Sequence, residues 1–427
     1  MKTSANQLKS RKGLIAALDV GTTKICALIA RSDVERGLSG EVQPRIVGVG
    51  HQVSGGVRNG AVIDLDAAEH SIRAVVEAAE QMAGENIGSV VVNLSGGRQQ
   101  SRLIAYEVSI AGHEISDADI RRVLDPVSLA GEVAEDREFI HTIPVGYTVD
   151  GNRGVVDPKG MFGERLSVNT HIITALRGPL RNLETAVSKC HLGLEDVVVS
   201  PYASALGCLS DDEKKMGVTC IDMGGGTTSV AVFFDGELVH TDSIRVGGVN
   251  VTNDISRGLV TPLVHAERMK TLYANALPSE KDDLQVIQVP AMGDNETGDG
   301  NTVPRSMLVG IVRPRIEEIF ELLRDRLRES GFDKVAGRGL VLTGGASQLA
   351  GAPEVAARIL DKQVRRGRPI TMDGMPEAAA GPTFATCVGL LRYACGHRAD
   401  EPDHGLGVTA EPEGRMGRIG QWLRENF

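Results

Sequence analysis

The chain has 427 residues, a formal net charge of −10, and 41% hydrophobic and 24% charged side chains, the composition of a folded protein with room for two or more cores. An acidic chain with 3% aromatics lacks the basic surface and stacking platforms of a nucleic-acid binder, so no nucleic-acid partner is expected. Six scattered cysteines without a CxxC pair suit a reducing compartment, and no apolar run approaches the roughly 18 residues of a membrane span.

The basic N-terminus turns apolar, but Asp19 interrupts the run far short of a signal peptide. "LIAALDVGTTKICALIA", Leu14 to Ala30, reads instead as strand, tight turn, strand. "PRIVGVGHQV" adds a strand and "DAAEHSIRAVVEAAEQMAG" a helix. In that helix Asp66 is placed to cap and Glu69 to complete a capping box. Ile72, Val75, Val76, Ala79 and Met82 form one apolar stripe, and Gly84 stops the helix.

Between the strands "SVVVNLSGG" and "VNTHIITAL" lies an α+β insertion: "RQQSRLIAYEVSI", a helix opened by Ser116 and Asp119 in "SDADIRRVLDPVSLA", and "REFIHTIPVGYTVDG". "VTCIDMGGGTTSVAVFF", Val218 to Phe234, then repeats the first hairpin, so the chain reads as a duplicated α/β unit. Further on come a Gly/Asp/Asn loop, "MGDNETGDGN", and a proline-initiated helix, "RPRIEEIFELLRDRLRES", with Ile316, Ile319, Phe320, Leu323 and Leu327 on one side. "GRGLVLTGGASQLAG" supplies the second unit's closing strand, and the basic "DKQVRRGRPI" reads as a solvated loop.

"RADEPDHGLGVTAEPEG" has the composition of a flexible tether. After it Met416, Ile419, Leu423 and Phe427 fall on one helical face, with the sole tryptophan, Trp422, on its flank and Arg415, Arg418 and Arg424 toward the sides. Such a segment is too short to span a bilayer. It is suited to lie in the interface plane with its arginines toward anionic headgroups.

The glycine turns carry the chemistry. A strand–Gly–Thr–Thr–strand hairpin lets backbone N–H groups curl toward an anion, and an aspartate at the strand end can hold a hydrated Mg²⁺. Walker A and strand–GxGxxG–helix patterns are absent, and the ten histidines form no closely spaced ligand set.

"LDVGTTK", "VSPYASALG", "IDMGGGTTS", "LTGGASQL" and "GPTFATCVGLL" resemble, in order, the first phosphate, first connecting, second phosphate, adenosine and second connecting motifs of the actin-like ATPase superfamily. The resemblance implies an α/β fold of two duplicated, ribonuclease-H-like lobes with ATP and Mg²⁺ between them. It places Gly21, Thr22, Thr23, Lys24, Gly224, Gly225, Gly226, Thr227 and Thr228 at the phosphates, and Gly344, Gly345 and Ala346 at the adenosine. Glu267 and Lys270 of "HAERMKTLYA" match a Glu-x-x-Lys pair that faces ribose and base, and Asp19 and Asp222 match the organisers of metal-bound water. Ala203, Ala205, Gly207, Ala385 and Gly389 are small enough for two hinge helices to cross closely. Chaperone-type members carry a glutamate where this chain has Ser200, a poor base, so turnover is expected to be slow.

The insertion resembles the extra subdomain IC of the FtsA family of bacterial division proteins, through "SVVVNLSGG", "FIHTIPVGYTVDG" and "NTHIITA". The family's plan divides the chain into subdomain IA (11–93 and 173–199), IC (94–172), IIA (200–250 and 336–397) and IIB (251–335). A linker (398–413) and a membrane-targeting amphipathic helix (414–427) follow. It also implies self-association into filaments, recruitment of later division proteins through IC, and binding of the FtsZ C-terminal peptide on IIB, where Arg305 best matches the contact position. The family's place is the inner face of the cytoplasmic membrane at the division septum, where it tethers FtsZ filaments. A chaperone-type ATPase would need a substrate domain after the lobes, and a sugar kinase a catalytic aspartate in an open cleft. A pilus-assembly relative shares the insertion, and the amphipathic tail argues against it.

Overall fold

The computed structural model describes residues 13–32, 44–124, 134–292 and 301–396. The expected linker and amphipathic helix, and residues 293–300 of the Gly/Asp/Asn loop, lie outside the described residues.

The first lobe opens with the expected hairpin, β1 (Gly13–Val20) and β2 (Lys24–Ser32), followed by β3 (Arg45–Val53), a minor hairpin of β4 (Val57–Arg58) and β5 (Ala61–Val62), α1 (Leu65–Ala83) and β6 (Ser89–Leu94). The chain then leaves the lobe through β7 (Gln100–Ser109), α2 (Asp117–Val123), β8 (Arg137–Val149), β9 (Asn152–Val155) and β10 (Arg165–Leu176). It returns with α3 (Arg177–Lys189) and β11 (Gly193–Val199), giving a five-stranded sheet ordered β11-β6-β1-β2-β3.

The second lobe repeats that plan. After α4 (Ser200–Cys208) and α5 (Asp211–Met216) come β12 (Val218–Met223), β13 (Thr228–Phe234) and β14 (Glu237–Ile244). An outgrowth follows: α6 (Gly248–Leu259), α7 (Leu263–Tyr273), β15 (Val286–Val289), β16 (Asn301–Pro304) and α8 (Arg305–Ser330). The lobe closes with β17 (Gly339–Thr343), α9 (Ala352–Leu360), β18 (Gln363–Arg366) and α10 (Ala385–Gly396). Its sheet, β14-β13-β12-β17-β18, has the pairings of the first when that sheet is read from β3 to β11, two antiparallel and then two parallel.

Between the lobes α4 and α10 cross at the distance of backbone contact. A Cβ on Gly207 would overlap the Ala385 carbonyl, and one on Gly389 the Ala203 carbonyl. Ala203, Ala205 and Ala385 are buried beside them, so the small residues of the two connecting motifs set the closeness of the crossing.

Four local expectations are corrected. In α1 the cap is Asp64, whose Oδ1 accepts from Asp66 N–H and Ala67 N–H at 3.1 Å each; Asp64 is extended (φ −138°), as a cap must be, and Asp66 is already helical. Met82 is exposed, and Ala83, opposite Gly48 of β3, takes the inner place at that end of the helix. Gly84 ends the helix in the left-handed region (φ 74°), as its sequence implied. The proline-initiated helix begins nine residues earlier than expected, because Pro314 lies inside α8. Leu308, Val309 and Val312 extend the buried stripe of Ile316 and Ile319 back through the proline, and packing offsets the lost backbone bond. In the basic stretch, residues 363–366 form an edge strand, and Arg365 grips Glu213 with two bonds of 2.6 and 2.7 Å.

The insertion forms the sheet β7-β10-β8-β9, with α2 held by a reciprocal Ser116–Asp119 capping box over its own core of Val108, Ile110, Ile115, Leu166 and Val168. The expected divisions at 172/173 and 250/251 fall inside β10 and α6.

Candidate functional site

The two Gly-Thr-Thr turns are closed in the same way: Gly21 N–H donates to Lys24 O at 3.0 Å and Gly224 N–H to Thr227 O at 2.9 Å. The second turn's carbonyls are taken up by the start of α6, where Gly248 N–H reaches Gly224 O and Val249 N–H reaches Gly225 O. Among the described residues, no intrachain hydrogen bond engages the amides of Thr22, Thr23, Gly225 or Gly226. The turns touch: a Cβ on Gly225 would stand 2.5 Å from Thr23 Cγ2, and one on Gly226 2.6 Å from Thr22 Oγ1.

Behind each turn lies a carboxyl. Asp19 is buried and accepts from Asn93 Nδ2–H at 2.7 Å. Asn93 in turn takes Val20 N–H on its Oδ1 at 2.6 Å and donates to Ser95 and Ser200 Oγ at 3.1 and 3.0 Å. Asp222 accepts from Ser204 Oγ–H at 2.6 Å and Thr386 Oγ1–H at 3.3 Å, both from the hinge helices. Burial pushes Asp19 up to about 7 against the pull of Lys24, and the charge of Asp222 adds to the rise. Asp222 is raised by burial as well. Two enclosed carboxyls that repel each other gain most from a cation placed between them and the turns.

The third wall belongs to the second lobe. Gly344 (φ 85°) leaves room for Asp222 Oδ1, which any Cβ there would overlap. A Cβ on Gly248 would stand 3.2 Å from Ala346 Cβ and 3.6 Å from Lys270 Nζ. Lys270 pairs with Glu267 at 2.7 Å and donates to Gly248 O at 3.2 Å, while Thr252 Oγ1–H donates to Glu267 at 2.5 Å. Glu267, Lys270 and the Gly344–Ala346 turn thus meet the second hairpin through Gly248.

Three expected site residues have intrachain partners of their own. Lys24 Nζ donates to Thr383 O at 2.8 Å and lies 3.6 Å from the Phe384 ring centroid, so it ties the first lobe to the segment before α10. The buried Thr228 hydroxyl is used on Val246 O at 2.7 Å. Arg305 sends Nε–H to Tyr273 O at 2.8 Å and Nη1–H to the carboxylate of Asp282, itself 2% exposed, at 2.9 Å. Met416, Ile419, Trp422, Leu423, Phe427, Arg415, Arg418 and Arg424 lie outside the described residues. Sequence reading missed Asn93, Ser95, Ser204, Gly248, Thr252 and Thr386. Asn93 alone had a signal, as the one polar side chain in "SVVVNL" after its first residue.

Two lobes of one topology, hinged by crossed helices and facing each other with paired glycine turns, define a protein of the actin-like class. Solved structures of that fold superpose on it: a PilM–PilN type IV pilus biogenesis complex (TM-score 0.63, 17% identity, 91% of this chain and 99% of that one) and MreB5 of Spiroplasma citri bound to AMPPNP (TM-score 0.53, 14% identity, 91% and 98%). The family model for cell division protein FtsA matches residues 219–389, and that for the SHS2 domain inserted in FtsA matches 96–174. Cell division protein FtsA of Rhizobium meliloti is 44% identical over 98% of this chain and 96% of its own, and that of Escherichia coli K12 is 32% identical over 97% and 98%. The chain belongs to the FtsA family of cell division proteins.

Proposed function

We propose that this chain is the ATP-binding membrane adaptor of its division machinery. It holds Mg-ATP between the lobes, self-associates into filaments, ties FtsZ filaments to the inner face of the cytoplasmic membrane and recruits later division proteins through the inserted subdomain. The observation that carries the nucleotide site is the pair of abutting glycine turns in which, among the described residues, the amides of Thr22, Thr23, Gly225 and Gly226 have no intrachain partner and whose flanking carboxyls are buried and raised.

The residues fit the ligand. Amides of Thr22, Thr23, Gly225 and Gly226 would receive phosphate oxygens, and Asp19 and Asp222 would hold Mg²⁺ through water, the ion supplying charge neutralisation at the phosphates. Gly344 to Ala346, Glu267 and Lys270 would face the nucleoside. Ser200 accepts from Asn93 and shares a 2.7 Å bond with Ser95, with no carboxylate at that position to draw a proton from water, which supports slow hydrolysis.

Co-sedimentation with vesicles containing anionic lipid tests the adaptor. The full chain should carry purified FtsZ to the vesicles, and Trp422 fluorescence should move to shorter wavelength on binding. Trp422→Glu should abolish vesicle binding and leave nucleotide binding unchanged. If Trp422→Glu carried FtsZ to vesicles as well as the wild type, the adaptor reading would be wrong.

A further inference from the structure

The chain between β18 and α10, residues 367–384, leaves its own lobe and comes back. It starts on the second lobe, where Gly367 N–H donates to Leu342 O at 2.8 Å and Ile370 N–H to Gly207 O at 2.7 Å. It then covers the first lobe's edge strand: Ile46 N–H of β3 donates to Asp373 O at 2.8 Å, and Gly374 (φ 74°) lies so close that a Cβ there would stand 2.3 Å from the Ile46 oxygen. Met372 and Met375 pack on the core at the hinge. The return is made at the Gly344–Ala346 turn, where Gly344 N–H reaches Pro382 O at 3.3 Å and Gln348 Nε2–H reaches Thr383 Oγ1 at 3.0 Å. The segment is a strap over both lobes.

Lys24 is fastened to this strap. Its ammonium donates to Thr383 O at 2.8 Å and stands 3.6 Å from the centroid of the Phe384 ring, which His51 of β3 meets edge-on with centroids 5.7 Å apart. Phe384 is 7% exposed and Lys24 half-buried. A neutral carbonyl and a ring face are modest partners for a cation, weaker than an anion in an enclosed place. The same ammonium is near enough to Asp19 and Asp222 to pull both carboxyls down against their burial. It stands in the field of the two groups behind the glycine turns, yet it is bonded to the strap.

We propose that the strap is a latch on the nucleotide site: Thr383 and Phe384 are positioning residues that hold Lys24 back, and Lys24 leaves them for the phosphates of a bound nucleotide, which loosens the strap from the first lobe. The inference rests on the reading that Mg-ATP binds between the lobes, and adds to it the residues through which occupancy is passed on. Strap and phosphate compete for one ammonium, and such a competition is reciprocal. Occupancy of the site weakens the strap, and a weaker strap leaves more chains with Lys24 free to receive a nucleotide. The contacts at Asp373 and Gly374 are what a loosened strap gives up, uncovering the edge of β3.

The test uses the full chain and Mg-ATP, with affinity read by displacement of a fluorescent ATP analogue. Phe384→Leu keeps an apolar side chain and removes the ring, so Lys24 is released and ATP should bind about fivefold more tightly. Lys24→Met should bind more weakly than the wild type, and adding Phe384→Leu to it should change nothing, because the ring acts on ATP only through Lys24. A Phe384 that merely fills space would weaken binding in both backgrounds. Hydrogen exchange of peptides covering residues 369–384 is a second readout, which stands whether or not the Phe384 variant folds. Exchange there should speed up when Mg-ATP is added to the wild type, and should be as fast in Lys24→Met without nucleotide. Phe384→Leu binding at or below the wild-type affinity, or the same gain in the Lys24→Met background, would overturn the latch. So would an unchanged strap in a wild-type chain whose glycine turns become protected by Mg-ATP, which leaves the nucleotide site standing. No effect of Mg-ATP on either the turns or the strap would overturn the site and the latch together.

Discussion

Gly225 of the second lobe meets the Thr23 side chain of the first so closely that a Cβ added at Gly225 would stand 2.5 Å from Thr23 Cγ2. Gly225→Ala should therefore prise the turns apart and weaken nucleotide binding modestly. Gly225→Asp adds a negative charge where phosphates approach, and repulsion of that kind in an enclosed site amounts to several kcal/mol. Titration with a fluorescent ATP analogue should show little or no binding to the aspartate variant. An unchanged affinity would remove this site from the reading.

Asp19 gives the protein a stability slope with a definite sign. Burial raises its carboxyl from 3.8 to about 7, so the folded chain keeps a proton that the unfolded chain releases between those values. The stability this group contributes is full below the unfolded value and is lost as pH rises through the folded one, a gross change of about 4 kcal/mol. Asp19→Asn is neutral throughout, so it should equal the wild type in urea unfolding near about pH 4 and exceed it near about pH 8. A stability difference that is the same at both ends would contradict the assignment.

The hinge yields a second stability test. Gly389→Val must push α10 away from the Ala203 carbonyl, and overpacking of a close crossing costs about 1–3 kcal/mol. Gly310→Ala is the control: no atom lies within 4 Å of its added Cβ, and an alanine inside α8 should stabilise by about 0.5–1 kcal/mol. Opposite shifts in urea midpoint are expected for the two.

What could be read from the sequence was what is local. The Gly-Thr-Thr turns between β-rich runs, the duplication they mark and the small residues of α4 and α10 were all legible, because each is written within a few positions. The partner of Lys24 was not, since Thr383 lies 359 residues away along the chain. Asp64 and Asp66 both precede the same apolar stripe, and only the backbone angle distinguishes cap from first turn. Pro314 looked like a helix start because helix propensity is local, whereas α8 is fixed at its true start by Arg305 reaching Asp282 and Tyr273. Ser204 and Thr386, which hold Asp222, were hidden among small residues that the hinge needs for another reason.

Arg305 has a structural partner beside the role that its sequence match implies. Its match to the peptide-contact position implies a surface role, but its guanidinium is bound to a carboxylate that is 2% exposed. Arg305→Glu would leave Asp282 enclosed with a second negative charge beside it, and breaking such a pair from one side costs about 3–5 kcal/mol. That variant should lose thermal stability, and loss of FtsZ-peptide binding in it would not isolate a contact. Replacing both partners does. Arg305→Gln with Asp282→Asn removes the two charges together and keeps side chains of similar shape that can bond one another, so melting should stay within a few degrees of the wild type. If Arg305 touches the peptide, the double variant should bind it about tenfold more weakly at that preserved stability. If the affinity is that of the wild type, Arg305 serves to anchor α8, and the peptide surface lies elsewhere on the outgrowth.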